Sequence, residues 1–174
     1  MAATRFVEQL NVQIGNELAA HNQYLACAIH YDALTMPQMA AFFYAQALEE
    51  RAHAMMMVQY LLDTDAEVSI PAVEASVNEF ADVVAPVELA LDQERRVTDQ
   101  INGLLRIARE ESDFASEQFM QWFIKEQVEE VATMSDLLTV VNRNIDDVED
   151  IEEYVAREQG GEGTDPTAPR EAGA

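Results

Sequence analysis

Four stretches of this sequence carry apolar residues at alternating spacings of three and four, the repeat of one helix face, and each stripe is broken near its middle by a glutamate. The first reads Leu10, Ile14, Glu17, His21, Tyr24, Ala28, and the second Phe43, Gln46, Glu50, His53, Met57, Tyr60. The third reads Val87, Ala90, Glu94, Val97, Ile101, Leu104, and the fourth Met120, Phe123, Gln127, Glu130, Met134, Leu137. Each glutamate lies near the midpoint of its own helix, so packing the four helices side by side brings Glu17, Glu50, Glu94 and Glu130 to one height. Even one unpaired buried ion costs several kcal/mol, and four converging carboxylates are prohibitive alone. Two divalent cations cancel their charge, and a neutral His53 leaves that balance intact. A misphased stripe would put such glutamates on the surface, but four coinciding midpoints favour convergence inside a bundle.

The rest of the chain fits an all-α fold. Gly and Pro are scarce, at 6 and 5 in 174 residues, leaving long stretches free of helix breakers. The first helix is predicted from Thr4 to Ala33 and the second from Pro37, a good first helical residue, to Leu62. From Asp63 to Ala85 the pattern loses helical periodicity and contains Pro71. At roughly 3.3 Å per residue this stretch is long enough to travel the length of a bundle. A third helix is predicted from Val87 to Glu111, a capping turn at Ser112 and Asp113, a fourth helix from Phe114 to Asn144, and a short acidic fifth helix from Asp147 to Arg157. Two antiparallel pairs are thus joined by one long crossover. Residues 1–158 form one domain on this reading. Residues 159–174, beginning QGGEGTDP, lack the apolar content to bury a core and read as a disordered tail, a linker or a targeting peptide.

Charge and cysteine content narrow the chemistry. With 33 acidic against 10 basic residues the net charge is -23, which repels nucleic acid and anionic lipid and concentrates cations. No apolar run approaches the roughly 18 residues of a membrane span, and the N-terminus MAATRFVEQL lacks a signal-peptide layout, so a cytoplasmic location without membrane contact is expected. The single Cys27 excludes an internal disulfide and any Cys-x-x-Cys metal site. A metal must then be held by oxygen and imidazole. Glu50-x-x-His53 puts both side chains on one face, the spacing that di-iron and di-manganese bundles use. Oxygen-dominated ligation with one imidazole suits iron or manganese rather than structural zinc and leaves the two open.

At these residues the chain resembles the non-haem bacterial ferritins. The likeness spans about residues 5–157 and is carried by the blocks FYAQALEERAHA, ALDQERRVTDQI and EQFMQWFIKEQVEEV. It implies a ferritin-like four-helix bundle with a long crossover between helices two and three and a short fifth helix. It further implies an intra-subunit di-iron ferroxidase centre, with one iron on Glu17, Glu50 and His53 and a second on Glu94 and Glu130, Glu50 bridging. Gln127 matches the family's glutamine near the irons, and Tyr24 the tyrosine that hydrogen-bonds at the centre and takes part in oxygen chemistry. A third iron site is implied on Glu49, Glu126 and Glu129, with help from Glu130. The implied activity is oxidation of Fe(II) to Fe(III) by dioxygen or peroxide, with storage as ferric oxyhydroxide in a hollow shell of 24 identical subunits. The fifth helix resembles the one that points inward around the fourfold axes.

Departures from neighbouring families sharpen this reading. Thr133 stands where bacterioferritins and di-iron oxygenases have the histidine of a second Glu-x-x-His, and Arg51-Ala52 lacks the methionine that binds haem in bacterioferritins, so no haem is expected. Met55, Met56 and Met57, Cys27, His21 and His30 read as packing residues, and Trp122 as an indole packed near the centre. Two further readings are a manganese catalase and a non-catalytic, metal-buffering helical assembly.

Overall fold

The computed structural model describes residues 2–158 and 165–173. Five helices follow one another: α1 (Thr4–Ala33), α2 (Pro37–Asp63), α3 (Ala85–Glu110), α4 (Phe114–Arg143) and α5 (Val148–Glu158). No strand occurs among the described residues. The boundaries differ from the sequence expectation by one or two residues at helix ends, where caps rather than periodicity decide. α1 packs on α2, α3 on α4, and the pairs meet mainly through α1 and α3, while α5 lies on α2 and α4. The seam between α2 and α4 is left more open.

Three helices end without glycine. Thr35, Asp65 and Ser112 adopt φ values of 61°, 53° and 55°, a left-handed conformation that costs roughly 1–2 kcal/mol for most residues. Each turn is closed by the paired bonds of a Schellman motif. Met36 N donates to Tyr31 O at 3.0 Å, Ala66 N to Leu61 O at 2.9 Å, and Asp113 N to Ala108 O at 2.8 Å. Met36 and Tyr31 are both buried, so the first of these turns also seals the core.

The starts of α1 and α2 take their caps from distant side chains, while α4 is capped by its own preceding residue. Asp113 accepts from Ser116 N at 3.1 Å to cap α4, and its other oxygen accepts from Ala3 N at 2.8 Å at the head of α1. The start of α2 has no capping side chain of its own. Glu152 on α5 fills that role, its two oxygens accepting from Gln38 N at 2.8 Å and Met39 N at 2.9 Å. A carboxylate there also meets the positive end of the helix dipole.

The crossover, residues 64–84, is pinned along α1 by side-chain amides. Asn11 accepts from Ser69 N at 2.7 Å and donates to Glu67 O at 2.9 Å. Gln23 accepts from Val77 N at 2.8 Å and donates to Val77 O at 3.0 Å, as a strand neighbour would. Gly15 lets Pro71 approach so closely that a Cβ would fall 2.5 Å from its ring. No described helix is long and apolar enough to cross a membrane.

The core divides into two apolar clusters. One holds Tyr24, Tyr31, Phe43, Val87, Leu137 and Ile151, and the other Phe6, Leu10, Met57, Ile101, Leu104 and Phe123. Met56, Met57 and Cys27 are packed in these clusters, as their helical spacing implied. Burial pushes the Cys27 thiol up to about 12.

Of the segment 159–174 expected to be a disordered tail, residues 159–164 and 174 lie outside the described residues, and 165–173 are seated across α2 and α4. Ala172 N donates to Met55 O at 3.1 Å, and Ala168 and Ala172 pack on the second apolar cluster.

Replacing Glu152 by Ala removes the cap of α2, and chemical denaturation should register a loss of about 1–2 kcal/mol. Helix content in α1, α3 and α4 should not change. Unaltered stability would mean that α5 contributes nothing to the start of α2.

Candidate metal centre

A polar belt separates the two apolar clusters. Glu17 enters it from α1, Glu50 and His53 from α2, Glu94 from α3, and Gln127 and Glu130 from α4, none of them more than 6% exposed. All the mid-stripe residues named from sequence are buried, save that His21 and Tyr60 are half-buried. Ligand atoms of Glu17, Glu50 and His53 lie within 4.8 Å of one another. His53 Nδ1 stands 3.4 Å from Glu50 Oε2.

The opposite side of the belt is organised by hydrogen bonds to Glu94. The Tyr24 hydroxyl donates to Glu94 Oε1, and Gln127 Nε2 reaches Glu94 Oε2 at 3.4 Å. Thr98 Oγ1 orients that amide, reaching Gln127 Oε1 at 2.9 Å. Glu17 has its own support: Gln13, fully buried, donates from Nε2 to Glu17 Oε1 at 3.0 Å and also contacts Gln100 Oε1 at 3.1 Å. Asn16 Nδ2 in turn donates to Gln13 Oε1 at 3.0 Å. Gln13 and Thr98 escape a reading of apolar stripes. The signal that could have found Gln13 is an amide placed one turn before a mid-stripe glutamate.

The belt fits a cation. Glu17 Oε2, Glu50 Oε2 and His53 Nε2 are buried without a hydrogen-bond partner among the described residues, which is costly unless something positive completes them. The electrostatics agree. Burial, and then the facing charges of Glu94 and Glu17, hold the Glu50 carboxyl well above the usual carboxylate range. Burial raises Glu94 to about 7, with the Tyr24 hydroxyl pulling the other way. Burial also pushes the Tyr24 phenol up, keeping it a hydrogen-bond donor. His53 is lowered by burial and is therefore the neutral imidazole that can ligate a metal. Two divalent cations would relieve the mutual repulsion of four carboxylates at once.

The expected third group is partly assembled. Glu49 and Glu126 come together with His53, their ligand atoms within 4.8 Å, in a groove of about 560 Å³ along the α2–α4 seam. Glu129 borders the groove, but its carboxylate is 62% exposed and lies 3.4 Å from Lys125 Nζ. Thr133 borders the same groove and offers no imidazole. Trp122 stands against His53, ring centroids 5.6 Å apart. His21 is occupied elsewhere, its Nδ1 2.6 Å from Ala47 O, and His30 packs on Phe80 and Tyr31.

Because Glu94 rises from an ordinary 4.5 to about 7 in the folded chain, the folded state holds more protons than the unfolded one between those values. Its stabilising contribution is complete below about 4.5 and is lost as pH rises through about 7, and Glu50 is shifted in the same sense. The melting temperature of the metal-free protein should therefore fall by roughly 5–10 °C between pH 5 and pH 8. A divalent cation should abolish the fall. A flat profile without metal would contradict the mutual repulsion described here.

Comparison with known proteins bears on this arrangement. The ferritin family, described as a ferritin-like domain, matches residues 7–144. The chain is 52% identical over 170 residues to Ferritin BfrB of Mycolicibacterium smegmatis, covering 98% of this chain and 94% of that one. It is 34% identical over 147 residues to a bacterial non-heme ferritin of Staphylococcus aureus, covering 84% and 89%. An engineered closed form of the Archaeoglobus fulgidus ferritin superposes with a TM-score of 0.87 at 29% identity, covering 94% of this chain and 100% of that one. The open pore ferritin of the same archaeon gives 0.88 at 28% identity, covering 93% and 100%. A sequence match running from the first turns of α1 past the end of α4, on a fold that superposes over nearly its whole length, makes this chain a member of the ferritin family.

Proposed function

We propose that this chain oxidises Fe(II) to Fe(III) at the buried belt and stores the product as ferric oxyhydroxide within a shell of identical subunits, acting in the cytoplasm. The observation that carries the reading is the group of buried ligand atoms on Glu17, Glu50 and His53, gathered within 4.8 Å of one another in a belt of four carboxylates. Iron is the substrate. In the proposal one Fe(II) is held by Glu17, Glu50 and His53 and the second by Glu94 and Glu130, with Glu50 shared. Each gives up one electron. Dioxygen accepts both with two protons and leaves as hydrogen peroxide, or peroxide accepts both with two protons and leaves as two waters.

The protein's part is position and charge. Gln13 fixes the orientation of Glu17, while Tyr24 and Gln127 fix Glu94. Tyr24 keeps its proton and steadies the negative charge on its partner. Glu49, Glu126 and Glu129 are proposed to receive iron on its way to the mineral. No haem is part of the reading. A 24-subunit shell is proposed from the family, and Ile29, Tyr44 and Leu48, exposed on α1 and α2 at 60%, 37% and 65%, suit contact with neighbouring copies.

Aerobic addition of Fe(II) to the metal-free protein, followed by ferric absorbance in a stopped-flow instrument and by the mass of the assembly, tests this. Rapid oxidation and retention of many irons per assembly are expected. Glu50→Ala should slow the fast phase by about a hundredfold, and Tyr24→Phe should slow it less, since Glu94 remains. Stoichiometric binding with no oxidation would overturn the reading and favour a metal buffer. Peroxide disproportionation by the manganese-loaded protein would favour a manganese catalase.

A further inference from the structure

On the α1–α3 side of the bundle the crossover does not close down on the helices along its whole length. Residues 71–77 roof a groove of about 500 Å³ whose other walls are α1 and α3, a size within the range of small-molecule sites. Its apolar lining comes from Val12 on α1, Val73 and Val77 on the crossover, and Leu89 and Val97 on α3. Val12, Val73 and Val77 stay exposed, so a molecule seated there would cover apolar surface that the fold leaves open to water.

Most polar groups along the groove are already committed. Gln23 accepts from Val77 N and donates to Val77 O. Asn16 Nδ2 donates to Gln13 Oε1 at 3.0 Å, and Gln100 Oε1 accepts from Gln13 Nε2 at 3.1 Å. Two lining residues on one face of α3 are different. Gln93 is 8% exposed, and its Nε2 is buried with no hydrogen-bond partner among the described residues, which is costly unless an acceptor completes it. Arg96, three residues on, makes no ion pair among the described residues of a chain with 33 acidic side chains, whereas its neighbour Arg95 stands 3.7 Å from Asp92.

A buried N–H and a guanidinium beside it call for an acceptor that carries negative charge. A single carboxylate matches them. A dianion such as phosphate would meet Glu74 on the crossover and the net charge of -23, and would gain nothing from the valines. A wholly apolar molecule would leave Gln93 Nε2 without an acceptor. We propose that this groove binds a small amphipathic monocarboxylate, its head accepting from Gln93 Nε2 and Arg96 and its body lying on Val12, Val73, Val77 and Leu89. The groove shares no residue with the metal belt, so the assignment does not rest on the iron-storage reading.

Isothermal titration of octanoate into the metal-free, full-length assembly tests this. One binding event per chain is expected. Arg96 is exposed, so Arg96→Gln should fold as the parent does and weaken octanoate binding by about tenfold, and Gln93→Leu should weaken it by as much or more. Val77→Asp, which sets a charge where the apolar body would lie, should abolish the event, with thermal melting checking that each variant is folded. Octan-1-ol, the same body without the charge, should bind at least about tenfold more weakly. Equal binding of octanol and octanoate would overturn the proposal, and so would an unchanged titration in Arg96→Gln. Displacement of octanoate by inorganic phosphate would reduce the groove to a general anion contact and would also count against it. A parent protein that shows no octanoate event leaves nothing of the assignment.

Discussion

Carboxylates of like charge, held at one height inside a four-helix bundle, repel one another, and the rest of this fold is arranged around that repulsion. The belt of Glu17, Glu50, Glu94 and Glu130 cannot be solvated, being nowhere more than 6% exposed, and it cannot be spread, because each helix contributes at its midpoint. Without a metal the chain lowers the cost by retaining protons on Glu50 and Glu94 and by aiming donors at Glu94 and Glu17. In the proposed metal-loaded state those same oxygens would serve as ligands. The apolar clusters on either side supply the cohesion that lets so unfavourable a layer persist, and a bundle lacking one of them would open where the charge is densest.

The surrounding polar residues divide the work. Gln13 and Gln127 hold carboxylates in place without adding charge, and Thr98 fixes the Gln127 amide, which matters because an amide can orient a carboxyl group whether or not it is protonated. Asn11 and Gln23 use the same chemistry on backbone, letting an extended crossover lie along α1 as though paired in a sheet. Longer or charged side chains would not fit between α1 and Pro71, where Gly15 leaves the room.

Much of this was legible in the sequence, for a physical reason. Helical periodicity is a property of spacing, so the stripes through Glu17, Glu50, Glu94 and Glu130 located the helices, their phase and the height of the belt together. The crossover was visible as the place where that periodicity stops. The closing turns at Thr35, Asp65 and Ser112 gave no glycine to announce them, because their strain is offset by hydrogen bonds and by core contacts that arise only on folding. Glu152 reaches α2 across more than a hundred residues of chain, and nothing local marks it as a cap. The seat of residues 165–173 on α2 and α4 has no local signal either. The segment's composition is that of a solvated chain, yet one aspartate, one backbone amide and two alanines are enough to seat it on a surface already built.

Cys27 belongs to the apolar cluster beside Tyr24, in the same helix that supplies Glu17. Hydrogen peroxide attacks the thiolate rather than the thiol, and burial keeps this sulfur protonated up to about 12. If the chain oxidises Fe(II) as proposed, peroxide formed at the belt would meet a buried thiol rather than a reactive thiolate. The packing that excludes water from Cys27 would then also shield it from oxidation.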